Sequence, residues 1–209
     1  MTQLVYIDTE TGGLDPAKHA ILEVALVTRI GNVQRTFSRL IREPGLEMGE
    51  SITEKALEVN GLTLTQIRSD GRNVSEVAVQ AAGWLQDVAK EAGVGSVCLA
   101  GQNVPFDIGF LRRLFTKAGT SFPQVVGHRS FDLASIGEAL VLAGRLPREV
   151  VKEGRTLTAP GLEAVQAHLG IAVDTIGPDA ASLRPHRALY DALLHQAVGD
   201  AYIELLRKN

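Results

Sequence analysis

Apolar residues run unbroken from Leu4 to Ile7 and then give way to Asp8-Thr9-Glu10-Thr11-Gly12-Gly13. A short apolar run that ends at a glycine pair predicts a strand with an acidic C-terminal end. Asp15-Pro16 turns the chain, Ile21 to Ile30 reads as a second strand, and Gly31-Asn32 as a hairpin turn into a third, Val33 to Ile41. The three make an antiparallel meander. Ser51-Ile52-Thr53-Glu54 has the spacing of a capping box and opens a short helix to Asn60, closed by Gly61. From Val74 to Ala92, the positions Val74, Val77, Ala81, Trp84, Leu85 and Val88 recur at helical spacing. Asn73 or Ser75 caps that helix, and Trp84 is expected in the core.

Val97 to Gly101 reads as a fourth strand, and Gln102-Asn103-Val104-Pro105-Phe106-Asp107 enters an amphipathic helix with Pro105 in its first turn. A fifth strand is expected around Ser130-Phe131-Asp132, then a helix over Ala134 to Ala143. The stretch Gly144 to Pro160, with Arg145, Arg148, Lys152 and Arg155, reads as a flexible excursion or a helix with a basic, solvated face. Gly161 to Leu169 is a helix with His168 in its last turn, Asp174 to Leu183 a loop, and Arg184 to Ala192 opens a final helix running almost to Asn209. No internal repeat or linker breaks the pattern, so residues 1–209 are read as a single domain.

The length of 209 residues suits one domain with a full core. No segment approaches the roughly 20 apolar residues of a membrane span, and Met1 leads directly into the first strand. A cytoplasmic protein with no membrane contact is therefore expected. The one cysteine, Cys98, lies in the apolar run Val97-Cys98-Leu99-Ala100 and is expected to be core packing. A formal net charge of −3 argues against wrapping of long duplexes by nonspecific phosphate neutralisation, but leaves room for a local basic rim.

Candidate chemistry starts at the first strand. Side chains alternate there, so Asp8 and Glu10 point one way and Thr9 the other. Neighbouring carboxylates repel unless a proton or a cation sits between them, and all-oxygen ligand sets suit magnesium or manganese. If the meander continues into a crossover, the first and fourth strands lie adjacent and parallel. Asp8 and Asp107 then meet at the switch point where open α/β sheets bind ligands. By itself, Asp107 also suits the positive end of its helix. Asp191 closes the cluster if the last helix crosses the mouth. Glu23 is either solvated or in a supporting position.

The segments DTETGGLD, QNVPFDIGFLRR and HRALYDA resemble the three motifs of the DEDDh 3′→5′ exonucleases of the DnaQ-like superfamily, in the right order. The resemblance spans nearly the whole chain, including ITEKALEVNGLT and GLEAVQAHLGI. It implies Asp8, Glu10, Asp107 and Asp191 as ligands of two Mg2+ (or Mn2+) ions, with His186 as general base. In that mechanism Asp8 lies between the ions, Glu10 and Asp191 complete the nucleophile-side site, and Asp107 supports the second. Two ions about 4 Å apart activate the attacking water and stabilise the departing 3′ oxygen.

His186 precedes Asp191 by five positions, roughly 140° apart on an ideal helix, so it belongs on the approach or first turn, where Pro185 favours a bend. The tyrosine subtype would have tyrosine at 187, where this chain has Arg187. His195, one turn beyond Asp191, is a rival base, with a core or surface role favoured. His19 and His128 default to loop roles, and Gln102 stands where the family often has histidine. The resemblance further implies substrate contacts by backbone near Thr11 and Gly12, by Asn103, and by apolar packing of Leu14 and Phe106. Arg112, Arg113 and Lys117 read as a solvated helix face.

The expectation is a ribonuclease H-like α/β domain, a mixed five-stranded sheet flanked by helices. It would act as a metal-dependent 3′→5′ exonuclease on single-stranded DNA or RNA 3′ ends, DNA slightly favoured, releasing nucleoside 5′-monophosphates in proofreading, repair or RNA trimming. The short sequence after the third motif disfavours a full proofreading-subunit arrangement. A homodimer and docking by a polymerase or repair partner stay open. The alternatives are an oligoribonuclease-like enzyme acting on short oligonucleotides, an endonuclease, and a noncatalytic nucleic-acid-binding module.

Overall fold

In the computed structural model, which describes residues 2–172 and 186–207, the meander forms where the pattern places it. Strands β1 (Gln3–Thr11), β2 (Ile21–Ile30) and β3 (Val33–Arg42) pair antiparallel. β2 is buried along nearly its whole length. Both its faces are covered, which explains a continuous apolar run rather than an alternating one.

The next helix, α1 (Glu54–Asn60), ends at left-handed Gly61 as expected, but its cap is Thr53, whose hydroxyl accepts from the Ala56 N–H at 3.1 Å. Ser51 instead hydrogen-bonds to Glu47. The reciprocal capping box belongs to the following helix, α2 (Leu64–Asp70), between Thr63 and Gln66. A two-residue strand β4 (Arg72–Asn73) pairs parallel with β3 and leads into α3 (Val74–Glu91), capped by Asn73. Trp84 on α3 is half-buried against Phe37, ring centroids 6.3 Å apart.

β5 (Val97–Gly101) returns beside β1 and parallel to it, and α4 (Val104–Lys117) crosses to β6 (Val126–Asp132), parallel to β5. The mixed sheet therefore runs β4-β3-β2-β1-β5-β6, six strands where five were expected, the addition being the short β4. After α5 (Leu133–Leu142), the basic stretch is neither helix nor open excursion but a hairpin of β7 (Glu149–Lys152) and β8 (Arg155–Thr158). Glu153 and Gly154, at φ 50° and 76°, supply the two left-handed residues of a tight hairpin turn. Its cations are engaged: Arg148 with Glu138, Lys152 and Arg155 with Glu163, and Arg145 with the Leu205 carbonyl. Helix α6 (Leu162–Leu169) follows, and α7 (Ala188–Arg207) closes the fold. The expected loop over 174–183 and the helix-opening Arg184 and Pro185 lie outside the described residues.

Two cores sandwich the sheet. Val5 and Ile7 of β1 pack with Val77, Leu85, Phe110 and Leu114 from α3 and α4, while Ala25 and Val27 of β2 pack with Leu140, Ala192, Val198 and Tyr202 on the α5 and α7 side. Successive residues of β1 look toward different helices, Val5 and Ile7 toward α3 and α4 and Tyr6 toward Gly199 of α7. Cys98 is buried, and no helix among the described residues is long and apolar enough to cross a membrane.

Candidate active site

Alternation along β1 sorts the acids. Asp8 and Glu10 face α7, where they meet Asp191 of its first turn, and one carboxylate oxygen from each lies within 4.8 Å of the others. Thr9 faces the opposite helix layer, and its hydroxyl donates to Asp107 Oδ1 at 2.7 Å. Asp107 is thereby joined to the cluster from the α4 side, outside the tight trio. It does not serve as the α4 cap. The start of α4 is held by Asp132, which sequence reasoning did not single out: its Oδ1 accepts from the Val104 N–H at 3.1 Å and its Oδ2 from the Ser135 N–H at 3.0 Å.

The charges are poorly answered. Burial, then the charge of Asp107, followed by Asp191, Glu10 and Glu23, pushes the Asp8 carboxyl well above its ordinary range. Burial and then Asp191 and Glu23 raise Glu10 to about 8 against the opposing charge of Arg187. Asp107 is pushed up to about 7 by burial, opposed by the Thr9 hydrogen bond. Asp191 rises to about 6, again chiefly by burial, opposed by the charge and backbone N–H of His186. Such a set holds protons or binds cations, and all-oxygen donors suit hard divalent ions.

The glycine pair after β1 is fixed by close approach. A side chain at Gly12 would collide with the Ser51 carbonyl, and one at Gly13 with the His19 ring at 2.5 Å. Gly12 N–H donates to Ala20 O and Gly12 O accepts from Thr53 N–H, both at 2.8 Å, tying the turn to β2 and α1. Beside it opens a cavity of about 470 Å3, lined by Glu10, Thr11, Gly13, Leu14, His19, Thr53, Lys55, Ala56, Val59 and Asn60. Leu14 is 83% exposed and Val59 is also exposed, so the cavity presents apolar side chains to solvent next to the acids.

A sequence profile of the RNase T family, described as exonuclease, matches residues 5–198. The chain belongs to this exonuclease family. Over 111 residues it is 29% identical to the 3′-5′ DNA exonuclease Cap18 of Escherichia coli, a match covering 53% of this chain and 56% of that relative. Over 206 residues it is 29% identical to the PolC-type DNA polymerase III of Thermotoga maritima, covering 98% of this chain and 12% of the polymerase. Exonuclease I of E. coli in complex with a 5cy-dA13 oligonucleotide superposes with a TM-score of 0.72 at 17% identity, over 100% of this chain and 41% of that one. An apo Exonuclease I gives 0.71 at 18%, covering 100% and 43%. The chain thus spans little more than half of Cap18 and less of the others. The fold is the ribonuclease H-like fold of DnaQ-like exonucleases.

Within this exonuclease domain, the remaining predicted residues divide. His186 is exposed at the approach to α7, with φ 58°. His195 is 2% exposed, its Nδ1 3.0 Å from the Ile7 carbonyl and its Nε2 3.9 Å from Asp8 Oδ1. Burial lowers its pKa to about 4, so the ring is neutral near pH 7 and Nδ1–H donates to Ile7. The expected core role thus fits it. Thr11, Gly12 and Leu14 flank the acids, whereas Phe106 packs tilted against Phe110, ring centroids 5.0 Å apart, and neither it nor Asn103 lines the cavity. Gln102 donates to the Pro160 carbonyl. The solvated face after the second motif needs correction at one position: Arg113 is buried in an ion pair with Glu43, whereas Arg112, over the Phe122 ring at 4.4 Å, and Lys117 are exposed as expected. Lys55, Val59 and His19 were missed as cavity residues because their approach to Leu14 depends on how α1 docks, which no local pattern encodes.

Proposed function

We propose that this domain is a metal-dependent 3′→5′ exonuclease that releases nucleoside 5′-monophosphates from single-stranded 3′ ends, DNA before RNA. The observation that carries the proposal is the gathering of Asp8, Glu10 and Asp191 within 4.8 Å, with Asp107 joined through Thr9. These carboxylates would hold two Mg2+ or Mn2+ ions. Bound there, the ions supply an activated water and charge for the departing 3′ oxygen.

The chain's own residues do the rest. His186, exposed at the mouth, takes the proton of the attacking water. The Thr11–Gly13 turn offers backbone to the terminal nucleotide, and Leu14 with Val59 offers apolar contact to its base or sugar, which reads strand ends more than sequence. The choice of DNA rests on Cap18, named a DNA exonuclease, and on Exonuclease I bound to DNA oligonucleotides. We read residues 1–209 as one domain, and the PolC relative makes association with a polymerase a reading to test.

The test is a time course on 5′-labelled single-stranded DNA and RNA of one sequence, with magnesium or chelator. Expected is a metal-dependent ladder shortening from the 3′ end, faster on DNA, with nucleoside 5′-monophosphate as product. His186→Ala should lower kcat by roughly 10²- to 10⁴-fold, the usual share of general-base catalysis. Nicking of circular DNA would point to an endonuclease instead. Binding without any cleavage, in a folded and metal-loaded protein, would point to a noncatalytic module.

A further inference from the structure

The mouth contains a fifth acid, fully buried, that the proposed chemistry does not use. Glu23 lies in β2 directly opposite Glu10 and is 4% exposed. Unlike the others, its charge is answered. Arg187 places Nε 2.9 Å from Oε2 and Nη2 2.9 Å from Oε1, and the Ala188 N–H also points at Oε2, at 3.4 Å. A planar fork engaged on both carboxylate oxygens fixes direction as well as distance.

What this pair fixes is the chain on the C-terminal side of His186. His186 sits in the left-handed region, which a non-glycine residue adopts only when its surroundings enforce it. Its ring is exposed, so packing of the ring contributes little to that enforcement. Its backbone N–H is turned toward the Asp191 carboxylate, and Arg187 O accepts from the Asp191 N–H at 3.2 Å. The neighbouring residues Arg187 and Ala188 are the ones bound to Glu23.

We propose that the Glu23–Arg187 pair is a positioning clamp that anchors the turn carrying His186 to the sheet, and that it acts on catalysis chiefly through that histidine. The inference rests on the reading of His186 as general base. Arg187 is thus a positioning residue, and lysine, a single point charge, replaces it poorly.

The experiment compares wild type, His186→Ala, Arg187→Met, Arg187→Lys and the double variant His186→Ala/Arg187→Met in the magnesium-loaded protein. Expected are a kcat at least about 10-fold lower in Arg187→Met with KM within about 2-fold, a smaller loss in Arg187→Lys, and less than about 2-fold further loss when Arg187→Met is added to His186→Ala. The magnesium-induced rise in Tm should persist, and amide exchange should quicken over residues 186–188 without a general increase. Should Arg187→Met fail to fold because Glu23 is left charged, Glu23→Gln/Arg187→Met, with no orphan charge, carries the same comparison. Full losses that multiply in the double variant, or an unchanged kcat in a folded Arg187→Met, overturn the clamp while leaving His186 as base. An inactive wild type, or a fully active His186→Ala, overturns the functional reading and the clamp with it.

Discussion

Glu43, just after β3 and buried, and Asp8, in β1 and half-buried, are both acids drawn out of bulk solvent, yet they are handled in opposite ways. Glu43 accepts from Arg113 through Nε at 3.1 Å and Nη2 at 2.9 Å, and from the Ile21 N–H at 3.0 Å. Asp8 faces Asp107, Asp191, Glu10 and Glu23, and the His195 Nε2 3.9 Å away belongs to a neutral ring that brings no compensating charge. A buried carboxylate with a fork and an N–H is a structural fixture. A set of half-buried carboxylates with little to answer its charge holds protons or invites a cation, which marks a candidate site. The difference distinguishes a scaffold acid from a candidate site acid by physical chemistry alone.

The largest effect should come from Asp8→Asn. Exonuclease activity should fall by roughly 10³-fold or more, as when a group acting within a catalytic unit is removed. Stability in chelator should hold or rise, because one of the repelling charges is gone. Rates on labelled DNA and thermal melts with EDTA check both. A folded variant that loses stability in EDTA would break the comparison, because Asp8 would then behave like Glu43.

The converse experiment is Arg113→Ala, which leaves Glu43 buried and uncompensated. Breaking one side of a buried pair costs about 3–5 kcal/mol. Urea unfolding should show that loss, while activity per folded molecule should stay near wild type. Equal damage to kcat in the remaining folded fraction would mean that this pair belongs to the site after all.

The two classes of acid were not equally legible. Asp8 and Glu10 announced themselves because a strand's alternation is local, and β2 was bounded correctly because Gly31-Asn32 is strong turn chemistry. The partners that decide each acid's role lie far along the chain: Thr9 and Asp107 are 98 residues apart, Arg113 and Glu43 70. No periodicity reports such pairs: taken alone, Asp107 suits a helix end and is placed beside Asp8 only by the crossover argument and the family resemblance, while Arg113 reads as a solvated cation. Two misses had local signals. Thr63-Leu64-Thr65-Gln66 carries the capping-box spacing that was assigned to Ser51–Glu54, and Glu153-Gly154 marks the hairpin in the basic stretch. Its strands are only four residues each, too short for alternation to stand out.

The pH dependence of stability sharpens the comparison further. Glu10, Asp107 and Asp191 are raised to about 8, 7 and 6, and Asp8 is raised as well. Raised carboxyls mean that the native state binds more protons than the unfolded chain between the ordinary carboxyl range near pH 4 and pH 8. Their contribution is therefore fully present below that range and lost as pH rises through the folded values. In EDTA, Tm should decline from about pH 4.5 to pH 8, and magnesium should restore it most at the upper end. Asp8→Asn should flatten the decline, and a Tm that instead climbs across this window in EDTA would show the acids to be well compensated.

The finest probe is Thr9→Val, because the Thr9 side chain answers a site acid much as the scaffold answers Glu43. Its hydroxyl donates to Asp107 and opposes the upward shift of that carboxyl. Valine keeps the shape and removes the donor, leaving a buried charged acceptor less well satisfied. A hydrogen bond to a charged group contributes about 1.5 kcal/mol at the low end of its range, so the loss should be about that size at pH 8 and shrink toward pH 5, where Asp107 is protonated. Half-saturation by magnesium should move upward, since the ligand ionises less readily. Urea unfolding at the two pH values, paired with a magnesium titration of activity, separates these effects. A loss of stability equal at both pH values would mean that Thr9 merely packs against α4, whereas a pH-dependent loss would show it tuning a ligand.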